Sequence, residues 1–260
     1  MEEFNRAQET ESVNILGVRV TALPFAGVLQ RIERWIEAGD RKYVCCVTTY
    51  GVMEAQRIPR VRAVFNGARL AVPDGMPFVW LLKRAGYRTQ DRVYGPDLML
   101  RLCDLSQEKG YKHFFYGGMP GVPEQLIANL KAQFPRLNVC GWVSPPFRSL
   151  STEEDQDMIQ RINRAGPDIV WVGLGTPKQD LWMAEHTKQL EAKVCIGVGA
   201  AFDFHAGRIK QAPLWMQRSG LEWAYRLWQE PTRLWRRYLV GNPMFVIFVV
   251  LQLLRIRKYE

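Results

Sequence analysis

Asp74 is the side chain whose surroundings in this sequence best suit acid–base chemistry. It lies in the segment Val72-Pro73-Asp74-Gly75-Met76-Pro77, between a predicted strand end and a predicted helix start. The glycine beside it has no side chain, so a ligand can approach the backbone closely. A carboxylate at such a place either caps the following helix or acts as a general base. The local pattern favours the cap, and both roles stay open from the residues alone.

Arg92 and Gln179 are further polar candidates. Arg92 can hold a carboxylate or a phosphate, although a solvated surface arginine is the ordinary case. Gln179 follows Gly175-Thr176-Pro177 into a predicted helix start, where its side chain either meets a ligand or faces water. The three histidines are scattered without metal-ligand spacing, so no metal site is predicted. If phosphate chemistry takes place, we expect arginines rather than a metal ion to neutralise the leaving group.

Three glycine-rich turns follow predicted strands, at Gly117-Gly118, Gly173-Leu174-Gly175 and Gly197-Val198-Gly199. Glycines after a strand let backbone N–H groups approach a phosphate, and a following helix N-terminus favours its negative charge. Any one of them alone is more simply explained as a tight connection. None is a GxGxxG fingerprint or a P-loop. Together they favour a nucleotide or diphosphate ligand, and they argue against a dinucleotide dehydrogenase or an NTPase.

The elements that would position these residues alternate between short apolar runs and longer amphipathic stretches. Strands are predicted at Tyr43–Thr48, Arg69–Val72, His113–Tyr116, Asn138–Gly141, Ile169–Gly173 and Val194–Val198. Helices are predicted at Phe25–Ala38, Met76–Arg84, Pro96–Lys109, Val122–Phe134, Thr152–Ala165 and Lys178–Gln189. Strands apolar on both faces and separated by helices predict an α/β fold, an open and mostly parallel sheet sandwiched by helices. Ligands of such sheets bind where the strands end.

Composition agrees with a globular intracellular protein. The chain has 260 residues, of which 47% are hydrophobic and 23% charged. Its five cysteines form no CxxC pair and lie mostly in apolar runs, so we expect reduced thiols rather than disulfides or a zinc site. The polar stretch Met1–Ser12 does not resemble a signal peptide.

Charge is concentrated at the C-terminal end. The whole chain carries +9, and residues 207–260 hold ten Lys/Arg against three Glu, which accounts for +7 of it. We therefore predict a core over residues 1–206 and a basic, aromatic, helical appendage over residues 207–260. Such a basic segment suits a polyanionic partner, namely nucleic acid, an anionic membrane or a phosphorylated substrate.

An apolar run follows Asn242-Pro243 and covers residues 244–254. As a helix it would be about 16–17 Å long, too short to cross a hydrocarbon layer of roughly 30 Å. It either packs on the body or lies in the headgroup region, and the flanking tryptophans and arginines favour the membrane interface. Nucleic acid would explain the charge but not the apolar run.

Many short motifs follow one another along the chain in a fixed order. These motifs are Thr48, Pro73-Asp74-Gly75, Arg92-Val93-x-Gly95-x-Asp97-Leu98, Phe115-Tyr116-Gly117-Gly118, Gly141-Trp142-x-x-Pro145-Pro146-Phe147, Gly173-Leu174-Gly175-x-Pro177-x-Gln179-Asp180, Gly197-Val198-Gly199-Ala200-x-Phe202-Asp203, Ala212-Pro213 and Gly220-Leu221-Glu222-Trp223-x-Tyr225-Arg226. Their order resembles one family, the WecG/TagA/CpsF glycosyltransferases (glycosyltransferase family 26). The resemblance covers about residues 13–243, and consecutive motifs in the same order make it specific.

The resemblance implies a Rossmann-like, inverting and metal-independent hexosyltransferase without a cofactor. Its donor would be a UDP-sugar carrying N-acetylmannosamine, its uronic acid or glucose. The acceptor would be a polyprenyl-diphosphate-linked saccharide for bacterial surface polysaccharide or wall polymer. The enzyme would be cytoplasmic and peripheral on the inner face of the cell membrane, with no nucleic-acid partner and an oligomeric state left open, a homo-oligomer included.

The resemblance also assigns roles to residues. Asp74 would be the base that takes the proton of the acceptor hydroxyl. Substrate or acceptor contacts would come from Thr48, Arg92, Gln179, Arg226, Arg233 and Arg236. The nucleotide side would comprise Gly117, Gly118, Phe147, Gly173, Gly175, Pro177, Phe202 and Asp203, with Phe147 stacking on the base.

Two positions depart from the family pattern. Tyr50 replaces the usual asparagine, and Gln211 replaces the common arginine before Ala-Pro. Both bear on which substrate is used rather than on the reaction class. The alternative function is a non-catalytic module that binds nucleic acid or anionic lipid, but it leaves the conjunction of Asp74, Gln179 and the glycine turns unexplained.

Overall fold

The computed structural model describes residues 11–259 of the chain. Residues 1–10, which hold most of the polar N-terminal stretch, and Glu260 lie outside the described residues. The chain divides into two compact units. Unit 1 comprises residues 11–28, Cys46–Tyr94 and 212–259, and unit 2 comprises Leu29–Cys45 and Gly95–Gln211. The predicted division into residues 1–206 and 207–260 stays a prediction.

The described strands form an antiparallel pair and a six-stranded sheet. The pair joins β1 (Ser12–Ile15) to β2 (Val18–Thr21). The larger sheet contains β3 (Lys42–Val47), β4 (Leu70–Pro73), β5 (Lys112–Gly117), β6 (Asn138–Val143), β7 (Ile169–Gly173) and β8 (Val194–Gly197). Its order is β4-β3-β8-β7-β5-β6, and the pairings β3–β8, β8–β7, β7–β5 and β5–β6 are parallel. The predicted α/β fold with a mostly parallel, Rossmann-like sheet is therefore confirmed.

Helices flank the strands. They are α1 (Phe25–Ala38), α2 (Thr49–Arg57), α3 (Pro59–Gly67), α4 (Met76–Arg84), α5 (Gly95–Lys109), α6 (Val122–Gln133), α7 (Thr152–Ala165), α8 (Lys178–His186), α9 (Ala201–His205), α10 (Leu214–Arg218), α11 (Glu222–Gln229), α12 (Pro231–Trp235) and α13 (Gly241–Leu253). A π-helical turn, Arg236–Val240, joins α12 to α13. At the start of α7, Ser151 and Glu154 form a reciprocal capping box, which satisfies two backbone N–H groups of the helix start.

The core of unit 2 lies on its parallel strands. Trp171, Tyr116, Phe114 and Phe115 are at most 1% exposed, because strands covered by helices on both faces bury every side chain. Four of the five cysteines are buried and all five are free thiols, as predicted.

The C-terminal helix α13 packs against other parts of unit 1 on one side. Phe245 meets the edge of Phe78 with ring centroids 5.5 Å apart. Gln252 accepts a hydrogen bond from the Leu16 N–H at 3.0 Å and donates to the Asn14 carbonyl at 2.9 Å, which ties α13 to the β1–β2 pair. The opposite side of α13 is exposed, at Met244, Val246, Ile247, Val250 and Leu253.

The helical stretch is longer than the apolar run suggests. It is continuous from Pro231 to Leu253, 23 residues, and by length and composition alone it could span a membrane. At 1.5 Å per residue it measures roughly 34 Å, so the expectation of a helix too short to cross is wrong. The reason is that Arg233, Arg236 and Arg237 interrupt the apolar pattern without ending the helix. Charged side chains inside hydrocarbon are costly, so these arginines oppose a spanning position.

Candidate active site

The three glycine turns lie side by side in unit 2. Gly117 of β5 is in register with Gly173 of β7, and Gly197 of β8 is in register with Val172. The Gly118 N–H donates to the Gly173 carbonyl at 3.1 Å, which joins two of the turns directly. Parallel strands end at the same edge of a sheet, and that edge is where open α/β folds bind ligands.

Close packing explains why glycine is needed in these turns. A Cβ on Gly117 (φ +126°) would lie 2.6 Å from the Gly173 backbone carbon. A Cβ on Gly173 would lie 2.7 Å from the ring of Phe202, and one on Gly118 would lie 3.3 Å from it. Phe202 is 1% exposed, and its buried ring packs directly against Gly173 and Gly118 of these turns.

Gln179 holds two of the turns in place. Its side chain is buried, and its Oε1 accepts a hydrogen bond from the Gly175 N–H at 3.2 Å. A Cβ on Gly197 would lie 3.0 Å from its Nε2, and one on Gly199 would lie 3.4 Å from its Oε1. The sequence left open whether the Gln179 side chain meets a ligand or faces water. Since the side chain is buried, it does not face water.

The helices that follow these turns begin without a side-chain cap. Gly121 precedes α6 and Pro177 precedes α8, and neither helix has a capping hydrogen bond from the N-cap side chain. Several N–H groups of their first turns are already bonded, since Val122 donates to the Met119 carbonyl and Gln179 to the Gly175 carbonyl, both at 3.0 Å. The positive end of each helix dipole still favours an anion nearby. Both helices exceed one turn, and both follow directly on the glycine turns.

Phe147 and Asp203 are the remaining predicted nucleotide contacts. Phe147 is 87% exposed, and the ammonium of Lys178 lies 4.6 Å above its ring. An exposed aromatic ring beside a cation can stack on a nucleobase. Asp203 lies in the short helix α9, half-buried, and its carbonyl accepts from the Arg208 N–H at 2.9 Å.

Asp180, next to Gln179, is a carboxyl group buried beneath the same turns. It is 0% exposed, and burial raises its pKa to about 6. The Thr176 hydroxyl and the Cys45 thiol counteract part of this increase. Neither carboxyl oxygen reaches hydrogen-bond geometry with a partner in the part of the chain that the structure describes.

Asp74 lies in unit 1 between β4 and α4. Its N–H donates to the Val47 carbonyl at 3.1 Å, which fixes the backbone here. The N-cap residue of α4 is Gly75, so Asp74 lies one position before the cap. Its role as cap or as base stays a prediction. The carboxyl is half-buried, and the charge of Arg92 acts on it electrostatically.

Arg92 is held by partners within unit 1. Its Nε donates to the Asp74 carbonyl, and its Nη2 lies 2.6 Å from Oε2 of Glu222. Tyr94 donates to the other Glu222 oxygen at 2.8 Å, and its ring lies 3.8 Å from the guanidinium. Burial lowers the pKa of Arg92, but the carboxylates of Asp74 and Glu222 outweigh this and raise it overall. Arg92 is therefore a fixed cation beside Asp74.

Thr48 performs a structural task that its sequence motif does not reveal. Its hydroxyl oxygen accepts from the Gly51 N–H at 3.1 Å and caps α2. The hydroxyl hydrogen is left over for a further acceptor. Its role in substrate binding stays a prediction.

The predicted C-terminal arginines fall into two environments within unit 1. Arg226 and Arg233 share the carboxylate of Glu230, at 3.8 and 2.6 Å. Arg236 is exposed, and its guanidinium lies 5.1 Å from the Trp235 ring.

Sequence reasoning missed Glu222 as a component of the site. It anchors Arg92 and Tyr94 although 130 and 128 residues separate it from them. No local pattern signals a pairing at that separation. Its place in the Gly220-Leu221-Glu222-Trp223 motif was the available hint.

A Rossmann-like sheet whose strands end in glycine turns before helices, as in unit 2, is typical of proteins that bind phosphate groups. Residues 13–259 match the Glycosyl transferase WecG/TagA/CpsF family. The chain belongs to this family, which confirms the resemblance seen in the sequence and identifies the chain as a glycosyltransferase.

Two relatives carry the same name, N-acetylglucosaminyldiphosphoundecaprenol N-acetyl-beta-D-mannosaminyltransferase. The protein from Bacillus spizizenii is 33% identical over 197 residues, which are 76% of this chain and 74% of the relative. The protein from Bacillus subtilis is 31% identical over 188 residues, 72% of this chain and 70% of the relative.

Proposed function

We propose that this glycosyltransferase moves N-acetylmannosamine from a UDP-sugar to a polyprenyl-diphosphate-linked GlcNAc, with inversion at the anomeric carbon. The family match over residues 13–259 carries the proposal, and the names of the two relatives support the sugar and the acceptor. The products would serve bacterial surface polysaccharide or wall polymer synthesis.

The turns of unit 2 support a nucleoside diphosphate donor. Glycines allow close approach of a diphosphate, and the positive ends of the α6 and α8 dipoles near these turns would favour its negative charge. The exposed ring of Phe147 would stack on uracil. Gln179 and Phe202 would hold the turns in the binding conformation.

Asp74 would act as the general base. In the proposed step the acceptor hydroxyl oxygen attacks the anomeric carbon and forms the new glycosidic bond. Its proton passes to the Asp74 carboxylate, and the bond between sugar and diphosphate breaks with its electron pair leaving on UDP. Attack opposite the leaving group inverts the configuration. Arg92, whose charge interacts with that carboxylate, would help to hold it in place.

Arginines would neutralise the charge of the diphosphates, so we propose a metal-independent and cofactor-free transfer. Arg226, Arg233 and Arg236 lie in the basic C-terminal segment of unit 1. A guanidinium matches the oxygens of a phosphate with two parallel hydrogen bonds.

We further propose that the protein is cytoplasmic and peripheral on the inner face of the cell membrane. Large apolar side chains are exposed on the C-terminal helices, among them Trp215 (64%), Trp228 (77%) and Ile247 (55%). Arginine and tryptophan beside an exposed apolar helix are typical of interfacial binding. A lipid-linked acceptor is held in the membrane, so an enzyme bound at the membrane surface can reach it.

The alternative of a non-catalytic polyanion-binding module is disfavoured. Such a module would need the basic segment but not the glycine turns of unit 2 or the fixed Arg92 beside Asp74. Membership of a glycosyltransferase family accounts for all of them.

The proposal is tested by a transfer assay. The full chain in detergent is incubated with a short-chain prenyl-diphosphate-GlcNAc, a panel of UDP-sugars and EDTA, and UDP release is followed. We expect acceptor-dependent release with UDP-N-acetylmannosamine. Release only with another UDP-sugar would overturn the choice of sugar, and loss of release in EDTA would overturn metal independence. No UDP binding and no release with any donor would overturn the function.

A further inference from the structure

Glu222, the first residue of α11, holds two side chains from a distant part of unit 1. Its Oε2 lies 2.6 Å from Nη2 of Arg92, and its Oε1 accepts from the Tyr94 hydroxyl at 2.8 Å. The Glu222 and Arg92 side chains are 15% and 16% exposed, so solvent screens this ion pair little. Both carboxylate oxygens accept from partners, which suits a group that holds others in place rather than one that takes a proton from a substrate.

Arg92 transmits this restraint to Asp74. Its Nε donates to the Asp74 carbonyl, whereas its Nη2 is the nitrogen held by Glu222. A guanidinium group is planar and rigid, so two bonds at different nitrogens fix its orientation. The Tyr94 ring covers one face of it, with the ring centroid 3.8 Å from the guanidinium carbon. Loss of the Glu222 carboxylate would therefore release the outer end of Arg92 beside Asp74.

The charge of Arg92 is shared between two carboxylates. Burial lowers the pKa of Arg92, and the charges of Asp74 and Glu222 outweigh this and raise it. Burial raises the pKa of Tyr94, and the charges of Glu222 and Asp74 raise it further. Both carboxylates therefore act on the same pair of side chains. Without the negative charge of Glu222, the positive charge of Arg92 would act on Asp74 alone and make it a weaker base.

We propose that Glu222 is a positioning residue of the transfer reaction. Together with Tyr94 it fixes Arg92 against Asp74 and balances the charge of Arg92, so that the Asp74 carboxylate stays basic enough to take the proton of the acceptor hydroxyl. The inference deepens the proposed function and rests on it for the reaction. It gives α11 a task in the acid–base step, since this helix supplies the counter-charge that acts on Asp74 through Arg92.

The test is a double-mutant cycle in the full-length protein. It compares the wild type with Glu222→Gln, Arg92→Gln and the variant that carries both changes. Tyr94→Phe removes one hydrogen bond to Glu222 and keeps its charge. Glu108→Gln, at an exposed position on α5, is the matched control for loss of a carboxylate. For each protein, kcat and KM of sugar transfer are measured across a range of pH, together with UDP affinity and the thermal midpoint.

We expect Glu222→Gln to lose about tenfold or more of kcat while its UDP affinity stays within about twofold. The acid limb of its pH–rate profile should move to lower pH, because a negative charge near Asp74 is lost, and that of Arg92→Gln should move to higher pH. In the Arg92→Gln background, Glu222→Gln should cause no further loss, since Glu222 acts through Arg92. Tyr94→Phe should lose less kcat than Glu222→Gln, and Glu108→Gln should match the wild type.

A merely structural role of Glu222 gives a different result. It would lower the thermal midpoint and reduce kcat by the same factor at every pH, with the acid limb in its wild-type place, and this would overturn the inference. Wild-type kcat in Glu222→Gln, or a loss that adds in full to that of Arg92→Gln, would overturn it as well.

Two further outcomes are decided separately. If Glu222→Gln does not fold, Tyr94→Phe decides: reduced kcat with unchanged UDP affinity supports the inference, and wild-type kcat overturns it. A wild type that transfers no sugar refutes the proposed function and with it the inference. A wild type that transfers sugar while the variants at Glu222 and Tyr94 do so equally well refutes the inference alone.

Discussion

Asp180 places a titratable carboxyl group in the interior of unit 2. Burial raises its pKa from 3.8 to about 6, so the folded protein holds this proton more tightly than the unfolded chain does. The stability from the protonated carboxyl is complete below the unfolded pKa and is lost as the pH rises through the folded pKa. The window runs from 3.8 to about 6.

We therefore expect Asp180→Asn to be more stable than the wild type at neutral pH, by up to about 3 kcal/mol. The two proteins should converge below pH 4, since both side chains are then neutral. Thermal or urea unfolding between pH 4 and 7 measures the difference. A variant that is less stable at pH 7 with an unchanged pH profile would show that the carboxylate is compensated in the folded protein.

Gln179 gives a second prediction at the scale of single residues. Gln179→Met keeps the volume but removes the acceptor of the half-buried Gly175 N–H. Loss of a typical hydrogen bond costs about 0.5–1.5 kcal/mol. We expect a comparable loss of stability and about tenfold weaker UDP binding, because the turn is released. Gln189→Met, at an exposed position, is the control and should change neither. Unchanged UDP affinity in Gln179→Met would separate this residue from the donor site.

Sequence and structure differ most for side chains whose partners are distant in the chain. Asp74 was singled out from its flanking proline and glycine, but its position one residue before the N-cap of α4 depends on backbone geometry and could not be predicted. Arg92 was placed among surface arginines by default. Its fixation by Glu222, at 2.6 Å, needs the packing of α11 to be known.

At the scale of elements, glycine in the turn after β5 is required either by close packing or by backbone conformation. Alanine substitutions at Gly117 and Gly121 separate the two causes. Gly117 and Gly121 both have positive φ, +126° and +85°, but a Cβ at Gly121 meets no atom within 4 Å. Gly121→Ala should cost about 1–2 kcal/mol for its left-handed conformation. Gly117→Ala should lower the free energy of unfolding by more than this and also weaken UDP binding, because its Cβ would overlap with the Gly173 backbone. Equal losses in urea unfolding would mean that the contact is relieved by movement of the turn.

The strands and long helices could be predicted because their patterns are strong. Phe25–Ala38, Met76–Arg84, Thr152–Ala165 and Ile169–Gly173 have the predicted bounds. The β1–β2 pair was not predicted, since strands of four residues carry little periodicity. Helices α2 and α3 were missed because Gly51 and Pro59 interrupt an already short pattern. Their apolar side chains nevertheless pack in unit 1, and packing overrides weak propensity.

At the scale of the molecule, the exposed side of α13 is the surface that tests membrane binding. Val246 and Val250 are 58% and 46% exposed, so Glu at both positions should not disturb the packed side. We expect this double variant to bind vesicles of phosphatidylglycerol and phosphatidylethanolamine about tenfold more weakly or worse. Met119→Glu, at an exposed position in unit 2, is the control.

Vesicle co-sedimentation at increasing salt, together with alkaline extraction of cell membranes, distinguishes an interfacial from a membrane-spanning position of the C-terminal helix. Wild-type binding should weaken as salt is raised, since the arginines of the C-terminal segment attract anionic lipid. Protein that resists both high salt and alkaline extraction from cell membranes would instead indicate that Pro231–Leu253 spans the bilayer.

The most direct test of the account is sugar transfer by Asp74→Asn beside the wild type and Asp104→Asn, whose side chain is exposed on α5. Turnover with the preferred UDP-sugar and prenyl-diphosphate-GlcNAc is measured together with UDP affinity. The account predicts that Asp74→Asn loses about 100-fold or more of turnover while its UDP affinity stays within about twofold. Asp104→Asn should match the wild type. Wild-type turnover in Asp74→Asn would contradict the assignment of the catalytic base.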